Sequence, residues 1–325
     1  MEVLPEFVVR RAETPQEVTR LLQGDANARI LAGGTSLVAG MRQGLGAPSV
    51  LVSLERVEGF RDITGSGNGL RLGAGVTLSR LATDAGVGRS LPALAAAAAT
   101  VAGQAHRSVA TLGGNLCLDT RCVFYNQDET WRRSIGYCLK YRGDICHVAP
   151  LGKRCHAAYS GDLAPVLLVT GAEVEIAGAG GVRRAPLSAL YRDDGAQHLA
   201  LARGEFLTAV LAPAARPGTR VAYRKARVRG AIDFPLAGVA VALETENGRV
   251  RELRVALTGT NPCPLLLAGT EEFRGQVPDQ ALLDKLVKLV QRQASPQRTT
   301  VTSANYRRQV AAAMARRLVS ELAVI

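Results

Sequence analysis

Short apolar runs and amphipathic stretches alternate along the start of the chain. Thr14 and Pro15 predict a helix start, since a threonine hydroxyl can cap free first-turn N–H groups and proline suits the first helical position. That helix runs to about Leu22. The run ARILAGG predicts a buried strand ending on two glycines, TSLVAGMRQGL a helix, and VLVSL (50–54) another strand. Together they form a small β-α-β-α-β unit. GLRLGAGVTL (69–78) opens a second region with a strand, followed by short helices over 78–85 and 92–101.

The loop RSVATLGGN comes next, then a polar stretch rich in cysteine. LAPVLLVTGAEVEIAG predicts helix or turn leading into a strand, and EFLTAVLAP (205–213) a further strand. Pro213, Pro217 and Gly218 mark a boundary between two main parts, 1–216 and 217–325. Beyond it, TRVAYRKARVR and FPLAGVAVALETENGRVRELRVALTG predict three antiparallel strands with ENG as a turn. Helical patterns over 279–293 and 303–322 complete an α+β chain without repeats.

Composition narrows the class. Hydrophobic residues make up 47% and charged residues 21%, so the chain can bury cores and is not a disordered one. The longest apolar stretch, Leu91 to Gly103, is mostly alanine and is followed by Gln104, His106 and Arg107. It predicts a buried helix, not a membrane span. The opening MEVLPEFVVRRAETPQEV lacks the apolar core of a signal peptide, and a cytoplasmic protein is expected. In that reducing compartment, clustered cysteines favour metal binding or redox chemistry over disulfides.

The net charge of +12 raises the question of an anionic partner. Basic residues are spread along the chain, apart from the knots Arg224–Lys225–Arg227–Arg229 and Arg307–Arg308. Stacking aromatics are not interleaved with them, so no nucleic-acid partner is expected.

Four of the six cysteines, Cys122, Cys138, Cys146 and Cys155, fall within 34 residues. Their setting, as in YCLKYRGDICH (137–147), is polar, whereas structural cysteines behave as small hydrophobes. Thiolates in this number suit a tetrahedral zinc or an iron–sulfur cluster. Spacing alone leaves both open. No close pair forms a zinc knuckle, and wide spacing suits a bulky cubane, while His147 and His156 keep a mixed zinc site in play. Phe124, Tyr125, Trp131, Tyr137 and Tyr141 lie in the same stretch and form either a water-excluding wrapping or a satellite core. Cys117, between Leu116 and Leu118, reads as a packed thiol, and Cys263 as unrelated to the other four.

Two glycine loops carry further chemistry. LAGGTSLV (31–38) places two glycines between a strand and a helix, where the backbone can approach a phosphate and present oriented N–H donors. ATLGGN (110–115) is a second such loop, and a dinucleotide diphosphate needs donors from more than one side. Tyr223, Lys225, Arg227 and Arg229 share one strand face by period two, as a solvated basic face or a wall over an anionic ligand.

Taken together, LAGGTSLV, SVATLGGN, GDLAP (161–165) and YRKARVR–DFPLAGVAVAL resemble the FAD-binding subunit of the molybdenum hydroxylase family, over nearly the whole chain. In most of that family the TLGGN loop leads almost directly to the GDLAP segment. Here a stretch of about forty-five residues intervenes, holding the four clustered cysteines. NLCLDTRCVFYNQ, GYCLKYRGDICH and KRCHAAYSGDLAP look like the branch of 4-hydroxybenzoyl-CoA reductase β subunits, which carry an added 4Fe–4S cluster there.

The resemblance implies an FAD-binding domain over 1–216, in subdomains 1–55 and 56–216, with the cluster insertion at about 117–158. A C-terminal flavoprotein-subunit domain, three antiparallel strands and helices, would occupy 217–325. It implies FAD contacts from Ala32, Gly33, Gly34, Thr35, Ser36 and Leu37 at the diphosphate, and a second loop of Thr111, Gly113, Gly114 and Asn115. Asp162 would hold the adenosine end, with Leu207 and Lys225 near the flavin, and Cys122, Cys138, Cys146 and Cys155 would ligate the cluster.

No residue would act on substrate, because substrate conversion belongs to a partner subunit carrying molybdopterin. A small partner subunit would carry 2Fe–2S clusters, and reduced ferredoxin would be the donor. Arg132, Arg133, Lys140, Arg142, Lys153 and Arg154 form either its steering surface or a plain solvated loop. The alternative is a flavin subunit of another molybdenum hydroxylase, oxidising a different substrate.

Overall fold

The computed structural model describes residues 4–67 and 69–324. The N-terminal apolar runs form a parallel sheet in the order β1-β3-β2, from β1 (Val8–Arg11), β2 (Arg29–Leu31) and β3 (Val50–Ser53). Parallel neighbours need crossovers. α1 (Pro15–Gly24) and α2 (Leu37–Arg42) provide them. Thr14 caps α1 by accepting the Glu17 N–H, as its position predicts.

The second region is an antiparallel sheet in the order β4-β5-β8-β6-β7. Its strands are β4 (Ile63–Ser66), β5 (Gly69–Gly73), β6 (Glu173–Gly178), β7 (Gly181–Pro186) and β8 (Phe206–Pro213). Between β5 and β6 run α3 (Leu78–Thr83), α4 (Ala85–Ser90), α5 (Pro92–Ala99), α6 (Gln104–Arg107), α7 (Leu112–Leu116), α8 (Glu129–Ser134) and α9 (Leu163–Thr170). The helix expected over 78–85 divides at Asp84, which ends α3 and caps α4 by accepting the Gly86 and Val87 N–H groups.

The third region is an antiparallel sheet, β12-β11-β10-β9, backed by α10 (Gln280–Gln293) and α11 (Ala304–Val324). β9 (Thr219–Ala226), β10 (Ala237–Glu246) and β11 (Arg249–Thr258) are the predicted strands, and β12 (Leu265–Leu266) is a short addition. Asn247 and Gly248 both take positive φ, 51° and 73°, which suits the tight turn between β10 and β11.

β10 is buried on both faces, and its residues divide by size. Ala240 and Ala242 join the core of the first two regions, where α9 presses close, while Val239, Val241 and Leu243 face the helices α10 and α11. α9 is buried along its length except at Thr170, since it packs on β10, β11 and α5 at once. The fold is therefore α+β, with the glycine loops and the cysteine stretch on connections around the first core.

Candidate functional site

The first glycine loop leaves β2 and enters α2. Gly34 takes a left-handed backbone, φ 69°. At Gly33 a Cβ would lie 2.1 Å from the Val109 carbonyl oxygen and 2.9 Å from Ala110 Cα, so only glycine permits this contact. The contact seats the first loop directly against the start of the second. Among the described residues, the N–H groups of Gly33, Gly34, Thr35, Ser36 and Leu37 have no protein acceptor; the first bonded N–H is that of Val38, to Gly34 O at 2.9 Å. The half-buried hydroxyls of Thr35 and Ser36 are likewise unbonded among the described residues. Consecutive free donors of this kind make an anion-binding nest.

The second loop is built differently. Thr111 caps α7, its hydroxyl accepting the Gly114 N–H at 3.1 Å. Leu112 N–H bonds Val76 O, Gly113 N–H bonds Ala74 O at 2.7 Å, and Asn115 N–H bonds Thr111 O. A Cβ at Gly113 would lie 2.8 Å from Ala74 Cβ, so this glycine serves close packing. Asn115, buried, accepts the Leu163 N–H at 3.1 Å and ties the loop to the start of α9.

Asp162, the residue before α9, is buried and doubly bonded. Tyr223 Oη donates to it at 2.6 Å and Lys225 Nζ at 3.0 Å. Burial raises the Asp162 carboxyl above its ordinary range, while Lys225, the Tyr223 hydroxyl and Arg227 pull it back. Lys225 and Arg227 both donate to Thr100 O. Tyr223 and Lys225 share a face as predicted, but it is not a solvated basic one: both are turned onto Asp162, with Lys225 2% exposed, while β9 ends at Ala226 and Arg229 pairs with Asp233 in the following loop. Leu207 is buried in the first core, paired with Ile176 across β6 and β8.

The cysteine stretch folds back so that Cys122, Cys138, Cys146 and Cys155 line one small cavity, with Phe124, Lys140 and His147 among its walls. All four are free thiols. Burial pushes the Cys122 thiol up to about 12, opposed by the Phe124 N–H and reinforced by the other three cysteines. Cys155 is pushed up to about 11 by burial, opposed by the Ala157 N–H, 3.4 Å from its Sγ, and by Lys140. A bound cation would offset this penalty at Cys122 and Cys155, since the thiolate is the form that ligates a metal. Among the described residues, no three His, Cys, Asp or Glu side chains are disposed to hold a single metal ion. His147 Nε2 is engaged by Tyr137 O, and His156 is not among the cavity walls. Cys117 and Cys263 are also outside it.

The stretch is pinned to the first loop's helix. Arg132, only 1% exposed, donates to Gly44 O at 2.7 Å and pairs with Glu129 at 2.9 Å. Tyr125 Oη donates to Leu45 O at 3.3 Å. Gly44 and Leu45 follow the end of α2, whose other end is the nest; six residues of helix span about 9 Å. These anchors were invisible in the sequence, because Arg132 reads there as a surface charge. Of the basic residues expected on the surface, Arg132 and the side chain of Lys140 are buried, Arg133 and Lys153 are exposed, exposed Arg142 pairs with Glu129, and Arg154 pairs with Asp193.

Over residues 5–215 the chain matches the FAD binding domain in molybdopterin dehydrogenase, and over residues 221–322 the CO dehydrogenase flavoprotein C-terminal domain. The nest between β2 and α2 is thus part of a flavin-nucleotide domain. The chain belongs to the family of FAD-binding subunits of molybdenum hydroxylases, with xanthine dehydrogenase and CO dehydrogenase medium chains among its members.

It is 32% identical to the aldehyde oxidoreductase FAD-binding subunit PaoB of Escherichia coli K12, across 86% of this chain and 89% of that protein. Identity to a xanthine dehydrogenase FAD-binding subunit of Escherichia coli O157:H7 is 26%, across 96% and 94%. The reconstituted CO dehydrogenase from Oligotropha carboxidovorans superposes with a TM-score of 0.82 at 24% identity, covering 99% of both chains. Quinoline 2-oxidoreductase from Pseudomonas putida 86 superposes at 0.78 with 26% identity, across 99% and 98%. No helix among the described residues is long and apolar enough to cross a membrane.

Proposed function

We propose that this chain is the FAD- and 4Fe–4S-carrying electron-transfer subunit of a multi-subunit molybdenum enzyme of the 4-hydroxybenzoyl-CoA reductase type. The carrying observation is that four thiols line one cavity on a segment pinned to the helix that begins at the nest. Four thiol donors around one space supply one ligand per iron of a cubane. Backbone N–H groups aimed at Cys122 and Cys155 are of the kind that set cluster potentials.

When bound, the two groups would supply stepwise electron transfer, one electron at a time at the cluster and singly or in pairs at the flavin. Ala32, Gly33, Gly34, Thr35, Ser36 and Leu37 would hold the FAD diphosphate through free N–H and hydroxyl donors. Thr111, Gly113, Gly114 and Asn115 would form the second wall, shaping it more than donating to it. Asp162, Leu207 and Lys225 would lie at the ends of the cofactor, with the Asp162–Lys225 pair keeping both charges satisfied in a buried place. Arg133, Arg142 and Lys153 remain as surface charges that can steer an acidic ferredoxin. The partners would be a molybdopterin-containing large subunit and a small subunit with 2Fe–2S clusters, in the cytoplasm, converting 4-hydroxybenzoyl-CoA to benzoyl-CoA.

An anaerobic visible spectrum before and after dithionite, with iron and zinc assays, tests the cofactor content. Flavin bands with about four irons per chain are expected. Zinc without iron would overturn the cluster. A second reading, the flavin subunit of a hydroxylase acting on another substrate, is favoured by the 32% identity to an aldehyde oxidoreductase subunit. Assay of the assembled complex with reduced ferredoxin and 4-hydroxybenzoyl-CoA separates the two. Absence of benzoyl-CoA formation, with aldehyde or purine oxidation present, selects the second.

A further inference from the structure

Between Cys138 and Cys146 the loop turns a lysine inward. The Lys140 side chain is 6% exposed, although lysine is among the residues least often buried. Its Nζ donates to Asp119 Oδ1 at 2.7 Å, Thr120 O at 2.9 Å and Gly195 O at 3.1 Å, and also contacts the Thr120 hydroxyl. The same ammonium stands 4.7 Å from the centroid of the Tyr125 ring. Lys140, Tyr125 and the four cysteines all line the one cavity.

Three kinds of neutral partner therefore fix the ammonium in place without cancelling its charge. The one carboxylate, Asp119, is 58% exposed, so solvent screens its contribution far more than that of the lysine. The result is a stationary positive charge on the wall of a space surrounded by thiols. A lysine placed there for solubility would point outward, and one placed for a structural ion pair would face a buried carboxylate.

We propose that Lys140 is a potential-setting residue: its buried ammonium stabilises the negative charge of the ligated cluster and makes that cluster easier to reduce. The inference rests on the iron–sulfur reading of the cavity. Reduction adds one electron from the donor to the iron–sulfur core, with no bond made or broken, and leaves the core and its four thiolates more negative by one charge. A nearby cation lowers the energy of that added charge, and in a poorly solvated wall the effect is strong and weakly screened by salt. The carbonyl cage prevents the lysine from swinging away when the charge changes.

The test uses the full chain in its assembled complex, purified anaerobically as wild type, Lys140→Met and Lys140→Arg. Iron and flavin per chain are assayed first. The midpoint potential of the cluster is then followed by EPR during dithionite titration at low and high salt. Lys140→Met is expected to keep its iron and flavin, to shift the cluster to a more negative potential at both salt levels, and to leave the flavin potential unmoved. Lys140→Arg should lie close to wild type.

A Lys140→Met protein with full iron and an unshifted cluster overturns the inference while leaving the iron–sulfur reading intact. Iron lost from Lys140→Met but kept by Lys140→Arg overturns the inference, since the positive charge then serves to hold the thiolates and not to set a potential. Iron lost from both variants assigns Lys140 to packing and overturns it. Wild type without iron removes the iron–sulfur reading, and this inference with it.

Discussion

LAGGTSL at 31–37 and ATLGGNL at 110–116 use similar residues, two adjacent glycines with small polar side chains and a closing leucine. Their backbones do opposite things. In the second loop the threonine comes first, so Thr111 caps the helix and the glycines fall inside α7, where Leu112, Gly113, Gly114 and Asn115 all have N–H partners. In the first loop the glycines come before Thr35 and Ser36, and α2 starts only at Leu37. No side chain there caps the helix, and five successive N–H groups stay free among the described residues. The order of hydroxyl and glycine decides which loop leaves its N–H groups free and which satisfies them within the protein.

The largest effect that can break this comparison is expected at Gly33, where the two loops touch. Gly33→Ala would put a methyl group 2.1 Å from the Val109 carbonyl oxygen, and the neighbour is backbone that cannot rotate away. The loops must separate, at about 3 kcal/mol, the upper end of overpacking costs. FAD retention should fall more than tenfold, read as flavin absorbance per chain after gel filtration. Retained flavin at wild-type stability would mean that the two loops do not act as one site.

Gly113→Ala sharpens the contrast. Its methyl would meet Ala74 Cβ at 2.8 Å and Ala74 O at 3.0 Å, a packing clash that touches none of the free donors. About 2 kcal/mol of stability should be lost. The loss should be equal in flavin-free and flavin-loaded protein, measured by denaturant unfolding of each. A loss seen only with flavin would make the second loop a donor after all.

Much of the frame was legible from periodicity. The β-α-β-α-β start and the hairpin around Glu246–Asn247–Gly248 follow from apolar spacing and turn residues. β7 was not legible, because five of its six residues are exposed and two are arginines, leaving no apolar face to see. α4 was hidden because Asp84 closes one helix while opening the next. α9 was ambiguous since it is apolar on all sides, which erases the helical period.

Around the candidate site, residue types told where chemistry was concentrated, but not how each charge was used. Arg132 finds Gly44 O across 88 positions, and Lys140 finds Gly195 O across 55. A charged residue in a polar loop looks solvated unless its distant backbone acceptor is known. The same limit applies to the nest, because free and bonded N–H groups look identical in a string of letters.

Two smaller changes complete the contrast. Thr111→Val removes the cap of α7 while keeping the side-chain shape, and about 1 kcal/mol should be lost with or without flavin. Thr111→Ser should restore it, as thermal unfolding of both variants will show.

Ser36→Ala is expected to have the smallest effect and separates the loops most cleanly. The Ser36 hydroxyl has no partner among the described residues, so its removal should leave the flavin-free protein within about 0.5 kcal/mol of wild type. In the flavin-loaded protein a hydrogen bond to the diphosphate would be lost, worth about 1 kcal/mol. That corresponds to about fivefold weaker FAD binding, measured by fluorescence titration of the flavin-free chain. Thr111→Val should lower the stability of the flavin-free and flavin-loaded chain equally and leave affinity unchanged, because its hydroxyl already holds a protein N–H, whereas Ser36→Ala should move affinity alone. If Ser36→Ala destabilised the flavin-free chain as much as Thr111→Val, the first loop would be a wall like the second.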